Sequence, residues 1–151
     1  MLEDNKKVVF LGGDHAGFKS KVELLAYLKA EGYDAVDLGV FNEDPADYPD
    51  IAREVGEKVQ EHPEAKGILI CGSGIGMSIA ANKLRGIRAV VANDENMAEL
   101  SRQHNDANIL TMGGRIISVD EMKKIVVKFL TTEFEKNEER RVRRVDKLNN
   151  M

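Results

Sequence analysis

Residues 66–77 read KGILICGSGIGM: an apolar run, the chain's single cysteine, then glycines at 72, 74 and 76. The run has the composition of a strand, and the glycines fall where it turns into the next helix. Gly72, Gly74 and Gly76 lack the Cβ that would keep a ligand off the backbone, so their N–H groups can approach a negative oxygen, with the positive end of the helix behind them. A tight strand-to-helix turn favours glycine too, so the loop alone leaves a cradle and a plain turn both open. Cys71 adds chemistry to the choice. A thiol beside a helix N-terminus is a usable base or nucleophile near neutral pH, whereas a free cysteine at a strand end is more often a small buried hydrophobe. Ser73 either offers its hydroxyl to the same ligand or caps the helix.

Other polar groups stand at comparable places. Asp14 and His15, in GGDHAG, directly follow an apolar run and open a helix. Each has an ordinary alternative, as a helix cap or a solvated loop residue. His104, in SRQHNDAN, falls at the end of a helix, where an imidazolium is favoured by the helix dipole. Arg140 and Arg144 are four apart and share a face if the tail is helical, which suits a phosphate as well as a solvated basic helix end. His62, in QEHPEAK, reads as surface loop. The three histidines (15, 62, 104) are far apart with no HxH or HxxxH spacing, and one cysteine can form neither an internal disulfide nor a paired-cysteine zinc site. No metal is expected.

These groups need elements to hold them. Strand-like runs at 8–11, 35–38, 67–71, 87–92 and 107–111 alternate with helical patterns, which predicts right-handed βαβ crossovers and a parallel sheet. The expected fold is a three-layer α/β/α sandwich, Rossmann-like, around a five-stranded parallel sheet. Val22, Leu24, Leu25 and Leu28 form the expected sheet-facing stripe of the first helix, ended by Gly32. Residues 41–50 (FNEDPADYPD) read as a loop leading into a helix near Pro49. A further amphipathic helix is expected over 119–134, with Met122, Ile125, Val126, Phe129 and Leu130 on its inner face. In such a sheet ligands gather at the carboxyl ends of the strands, and the segments there are GGDHAG, CGSGIG, ANDEN and MGGR.

With 151 residues, 42% of them hydrophobic, the chain can close one core and is short for two, so residues 1–151 are read as a single domain. Its tail, at about 136–151, carries six basic against three acidic residues. The net charge of −4 and 5% aromatic content argue against a nucleic-acid partner. The N-terminus, MLEDNKK, lacks the apolar core of a secretion signal, and no stretch approaches the ~20 apolar residues of a membrane helix. A cytoplasmic protein with no membrane partner is expected.

Taken together, GGDHAG, DYPD, GILICGSGIGMSIAANK, GIRAVVAND, SRQHNDANIL, GGRII and RRVRRVDKL, in order from Val8 to Leu148, resemble the ribose-5-phosphate isomerase B family of the ribose/galactose-phosphate isomerase superfamily. The resemblance implies a cofactor-free and metal-free aldose–ketose isomerase working through an enediol(ate) on a small sugar-phosphate substrate. It also implies active sites at the interface of a homodimer, or of a tetramer made of two. Cys71 matches the family cysteine that moves a proton between C1 and C2, and Ser73 stands where threonine is frequent. Gly72, Gly74 and Gly76 match the loop whose amides steady the enediolate oxygen. His104 matches the histidine that assists ring opening, Asp14 a group handling sugar hydroxyls, and Asn105 a substrate ligand. His15, Arg115, Arg140 and Arg144 match phosphate-binding positions, and Tyr48 a tyrosine of the substrate pocket. Some of these groups, His104 and Asn105 among them, are expected from the partner subunit. The tail departs from the family in carrying Arg141 where a histidine is frequent.

Three other readings compete. Galactose 6-phosphate and allose 6-phosphate isomerases share the scaffold, with the histidine of RQHN favouring the ribose type. A nucleotide-binding module is mimicked by strand–GSGIGMS–helix–strand–Asp94, although the spacing is GxGxG and not GxGxxG. A non-catalytic sugar-phosphate sensor would be expected to have lost Cys71 or His104.

Overall fold

The computed structural model describes residues 7–151; the reading of the first six residues as part of a leader-free N-terminus lies outside that range. Five strands alternate with helices: β1 (Val8–Gly13), α1 (Phe18–Ala30), β2 (Asp34–Asp37), α2 (Tyr48–Glu61), β3 (Lys66–Cys71), α3 (Ile75–Ala81), β4 (Ala89–Val91), α4 (Glu95–Asn105), β5 (Ile109–Gly113), α5 (Val119–Thr131) and α6 (Glu139–Asn149). All strand pairs are parallel and the order is β2-β1-β3-β5-β4. The expected α/β/α sandwich is the observed one.

Successive side chains of a strand point to opposite faces, and the two cores follow that alternation. Val9, Leu11, Ile68, Ile70, Leu110 and Met112 face α1, α4 and α5, whereas Phe10, Leu69, Cys71 and Ile109 face α2 and α3. On α5 the five expected apolar residues are all buried, at 4% exposure or less, and each contributes about 1.5–3 kcal/mol relative to exposure. Among the described residues no helix is long and apolar enough to cross a membrane.

The expected boundaries shift where hydrogen bonds compete. β4 is shorter than 87–92 because the Arg88 amide donates to the Asn108 side chain at 2.8 Å and not to a strand. β5 starts later than 107, since the Ala107 amide bonds back to Ser101 O of α4 at 3.0 Å, and continues to Gly113, which pairs with Cys71. α5 ends at Thr131 and not 134, because Thr132 is extended (φ −88°, ψ 128°). On α1 the inward stripe is Leu24, Leu28 and Lys21; Val22, expected inside, is 45% exposed. An ammonium with polar partners at its tip thus displaces a small apolar side chain from the buried face.

The entry to α1 packs directly on β3: a Cβ on Gly17 would stand 2.3 Å from the carbonyl oxygen of Ile70. Backbone cannot yield as a side-chain end can, so Gly17→Ala is expected to cost about 2–3 kcal/mol. In thermal unfolding this reads as a fall of roughly 5–10 °C in Tm, and an unchanged Tm would show that the helix start moves freely.

Candidate active site

The chain builds β2 on one side of β1, then crosses to place β3 on the other. Such a reversal opens a crevice outside the carboxyl ends of the two central strands. The register Gly13↔Ile70 brings those ends level, and the Asp14 amide donates to Ile70 O at 3.2 Å. Asp14 leaves β1 and Gly72 leaves β3 at the same edge. One carboxylate oxygen of Asp14 accepts from the Ala16 and Gly17 amides, at 3.0 and 3.3 Å. Asp14 is thus not the N-cap of α1, a place taken by Gly17, but its carboxylate ties down the turn that leads into the helix while also lining the crevice.

A cavity of about 410 Å³ occupies this edge, lined by Cys71, Gly72, Ser73 and Gly76 from the β3–α3 turn and by Asp14, Tyr48, Arg115 and Ile116 around it. Cys71 is 5% exposed and belongs to the core under α2 and α3, yet it forms part of the cavity wall. The Gly74 amide donates to its Sγ at 3.2 Å, a contact that strengthens when sulfur carries negative charge. Gly74 has φ +84°, a conformation glycine adopts at no steric cost. Its carbonyl accepts from the buried Thr111 hydroxyl at 2.8 Å. Ser73 does not cap α3, which starts from Gly74; its oxygen accepts from the Ile75 amide at 3.2 Å. The first-turn amides of Gly76 and Met77 have no acceptor inside the helix, and Gly76 lines the cavity.

Tyr48, the first residue of α2, lies across Gly76: a Cβ there would stand 2.7 Å from the tyrosine ring. Arg115 reaches back over the turn after β3, its guanidinium 3.2 Å from where a Gly72 Cβ would be. His15 sits beside Asp14, and its Nδ1 accepts from the Ala46 amide at 3.3 Å.

Four of the expected site residues lie elsewhere on the chain. α4 starts beyond the carboxyl end of β4 and ends before β5 begins, so His104 and Asn105 sit at the opposite edge of the sheet from Cys71. A five-residue strand spans about 16 Å, and no side chain of one chain bridges that gap. His104 Nε2 lies 3.5 Å from Glu135 Oε1, which also sits 3.1 Å from Arg141 Nε. Asn105 lines a second cavity, of about 640 Å³, with Arg88 and Leu148. Burial holds the Arg88 guanidinium below its ordinary range, opposed by Asp106. Arg140 and Arg144 are exposed on α6, one turn apart, and Arg140 Nε is 3.8 Å from Glu138.

Ile116, Thr111 and Asn93 were not singled out in the sequence. Ile116 is an exposed apolar side chain at the cavity rim, and Asn93 Oδ1 accepts from the Gly113 amide at 3.2 Å, fixing the end of β5. A polar residue at the end of an apolar strand was the available signal for Thr111 and Asn93. Ile116 had none, because its place depends on the turn after β5. Among the described residues no three His, Cys, Asp or Glu side chains gather as a metal site would require.

Comparison with known proteins agrees over nearly the whole chain. The profile of the Ribose/Galactose Isomerase family matches residues 9–148. Ribose-5-phosphate isomerase B of Escherichia coli is 45% identical over 130 residues, which cover 86% of this chain and 87% of that one. The structure of ribose-5-phosphate isomerase B from Clostridium thermocellum superposes with a TM-score of 0.90 at 42% identity, over 95% of both chains. That from Thermotoga maritima gives 0.91 at 39% identity, over 96% of this chain and 99% of the other. The fold is thus shared with these solved structures over nearly its whole length, and the chain belongs to the ribose/galactose isomerase family.

Proposed function

We propose that the protein interconverts ribose 5-phosphate and ribulose 5-phosphate through an enediol(ate), with Cys71 as the proton-transferring base. The observation that carries this reading is the cavity at the β1/β3 edge, where Cys71 Sγ, Asp14, Arg115 and the glycine turn meet. A proton on carbon alpha to a carbonyl is weakly acidic. Its removal needs a positioned base and donors aimed at the oxygen that becomes negative. Cys71 supplies the base from the end of β3, and the amides of the 72–76 turn supply the donors. The thiolate takes the C2 proton as the C1 carbonyl oxygen gains charge; the proton of the C2 hydroxyl passes to that oxygen, and the same sulfur returns its proton to C1, leaving the carbonyl at C2. Asp14 and Tyr48 hold sugar hydroxyls, while the hydroxyl of Ser73 sits beside the reacting carbons.

Phosphate recognition falls to His15 and Arg115 in this chain and to Arg140 and Arg144 from a second copy, with His104 and Asn105 coming from that copy as well. This homodimeric reading rests on the separation described above: the ring-opening histidine and the thiol stand at opposite edges of one sheet, so two chains complete each site. Binding energy from the phosphate, remote from C1 and C2, orients the sugar for proton transfer. The basic α6 on an acidic chain has its reason in that role.

An isomerase assay across ribose, allose and galactose phosphates tests the substrate, with ribose 5-phosphate expected to give the highest kcat/KM. Cys71→Ala is expected to lower kcat by about 10²–10⁴-fold with Tm nearly unchanged; turnover near wild type would remove the base from Cys71. Arg140→Ala and Arg144→Ala are each expected to raise KM by about tenfold or more, as a lost charge-assisted contact does. A fall in Tm at constant KM would make the two arginines structural. Coexpressing Cys71→Ala with His104→Ala chains is expected to restore about a quarter of wild-type activity, since half the dimers are hybrids and each hybrid has one intact site. Activity no higher than either variant alone would place each site within a single chain.

A further inference from the structure

Lys21 is the only lysine among the described residues that is wholly buried, at 0% exposure. Its ammonium bonds Asp37 Oδ1 at 2.7 Å and the carbonyl oxygen of Val40, and it lies 5.4 Å and 5.3 Å from the ring centres of Phe18 and Phe41. A methionine would fill that space between two aromatic rings without desolvating a charge, and a buried ion pair is by itself a poor source of stability. What the lysine has that methionine lacks is donors, and both of its acceptors belong to one stretch of chain, from the end of β2 to Tyr48.

That stretch is stitched to the end of β1. Leu38 N donates to Leu11 O at 2.8 Å, Gly13 N to Gly39 O at 2.8 Å, and Val40 N to Gly13 O at 2.7 Å. Asp37 Oδ1 also accepts from the Gly39 amide at 2.9 Å, so the carboxylate that Lys21 holds in turn holds the bend. Six residues after Val40, the Ala46 amide donates to His15 Nδ1. A ring nitrogen that accepts a backbone N–H carries no proton of its own, so the imidazole proton is placed on Nε2. The segment begins at the lysine clamp and ends on the histidine.

We propose that the Lys21–Asp37 pair is a positioning device for phosphate recognition: it seats residues 38–47 so that Ala46 fixes His15 as the neutral Nε2–H tautomer, a directed donor to a phosphate oxygen. This rests on the reading of His15 as a phosphate ligand. Lys21 acts through the segment and touches no substrate. Its removal therefore disturbs binding more than proton transfer, which is the opposite of what loss of Cys71 does.

The test is nitrogen-15 spectroscopy of the histidine rings, recorded well above the ordinary histidine titration range, on the wild type, Lys21→Met and Ala46→Pro, with steady-state kinetics on ribose 5-phosphate. Wild type is expected to show His15 as a single Nε2–H tautomer. Both variants should move His15 toward the mixed tautomer pattern of a free imidazole, leave His62 unchanged, and raise KM about tenfold with kcat within about twofold. Should Lys21→Met fail to fold, the Lys21→Met/Asp37→Leu chain removes both charges together and is read in the same way. His15 signals unchanged in the lysine variants overturn the proposal. His15→Ala separates the two layers: unaltered KM there defeats the phosphate role of His15, whereas a raised KM with an unmoved His15 tautomer in the lysine variants defeats the clamp alone.

Discussion

The pairing of β1 with β3, from Val9↔Lys66 to Gly13↔Ile70, sets where Asp14, Cys71 and the glycine turn can meet. Parallel strands in register end together, so the residues that follow them emerge side by side at one edge of the sheet. A shift of one residue would send Cys71 to the opposite face, away from the α2/α3 side on which Tyr48 and the glycine turn lie. The buried faces on both sides of the sheet make that shift costly, since it would exchange the residues of the two cores.

Around this register the chain spends polar groups on holding backbone in place. Thr111 ties Gly74 and Val90, Asn93 ties the end of β5, Asp14 ties the start of α1, and Lys21 ties the segment after β2 through the Val40 carbonyl. Each is a side chain bonding to main chain near the carboxyl edge, where ladder hydrogen bonds run out and buried N–H and C=O groups need other partners. Such partners narrow the positions open to the cavity walls, and reactions that develop charge on one oxygen gain from donors that need no rearrangement.

At the other edge a comparable clasp holds the end of α4. Arg102 donates to Asp106 Oδ1 at 2.7 Å, to Ala107 O at 2.6 Å and to Thr132 O at 3.2 Å, and its guanidinium lies 5.9 Å from the centre of the Phe129 ring. Asp106 takes φ 48° and ends the helix directly after His104 and Asn105. The two residues are thus displayed at a fixed corner of the molecule, beside α6 with its exposed arginines. In the proposed dimer this corner is the half of the site that one chain lends to another.

The sequence by itself determined the alternation of strands and helices, the two-sided burial of the strands and the residues at the strand ends, because period and turn chemistry are local. Cys71, the glycines after it and Asp14 were legible for that reason, whereas Tyr48 and the role of Arg115 came only from the resemblance carried by the in-order match of several short segments. The order of the strands was decided only in three dimensions: nothing local says that β3 lies against β1 or that β5 slips between β3 and β4. The tertiary structure alone put Lys21 inside and Val22 outside, since a buried ammonium depends on acceptors from Asp37 and Val40, 16 and 19 residues away. It also gave the physical ground for parting His104 from Cys71, which the resemblance had implied by expecting His104 from a partner subunit: a helix that runs back along the sheet carries its last turn to the far edge, a consequence of direction that spacing in the sequence does not record.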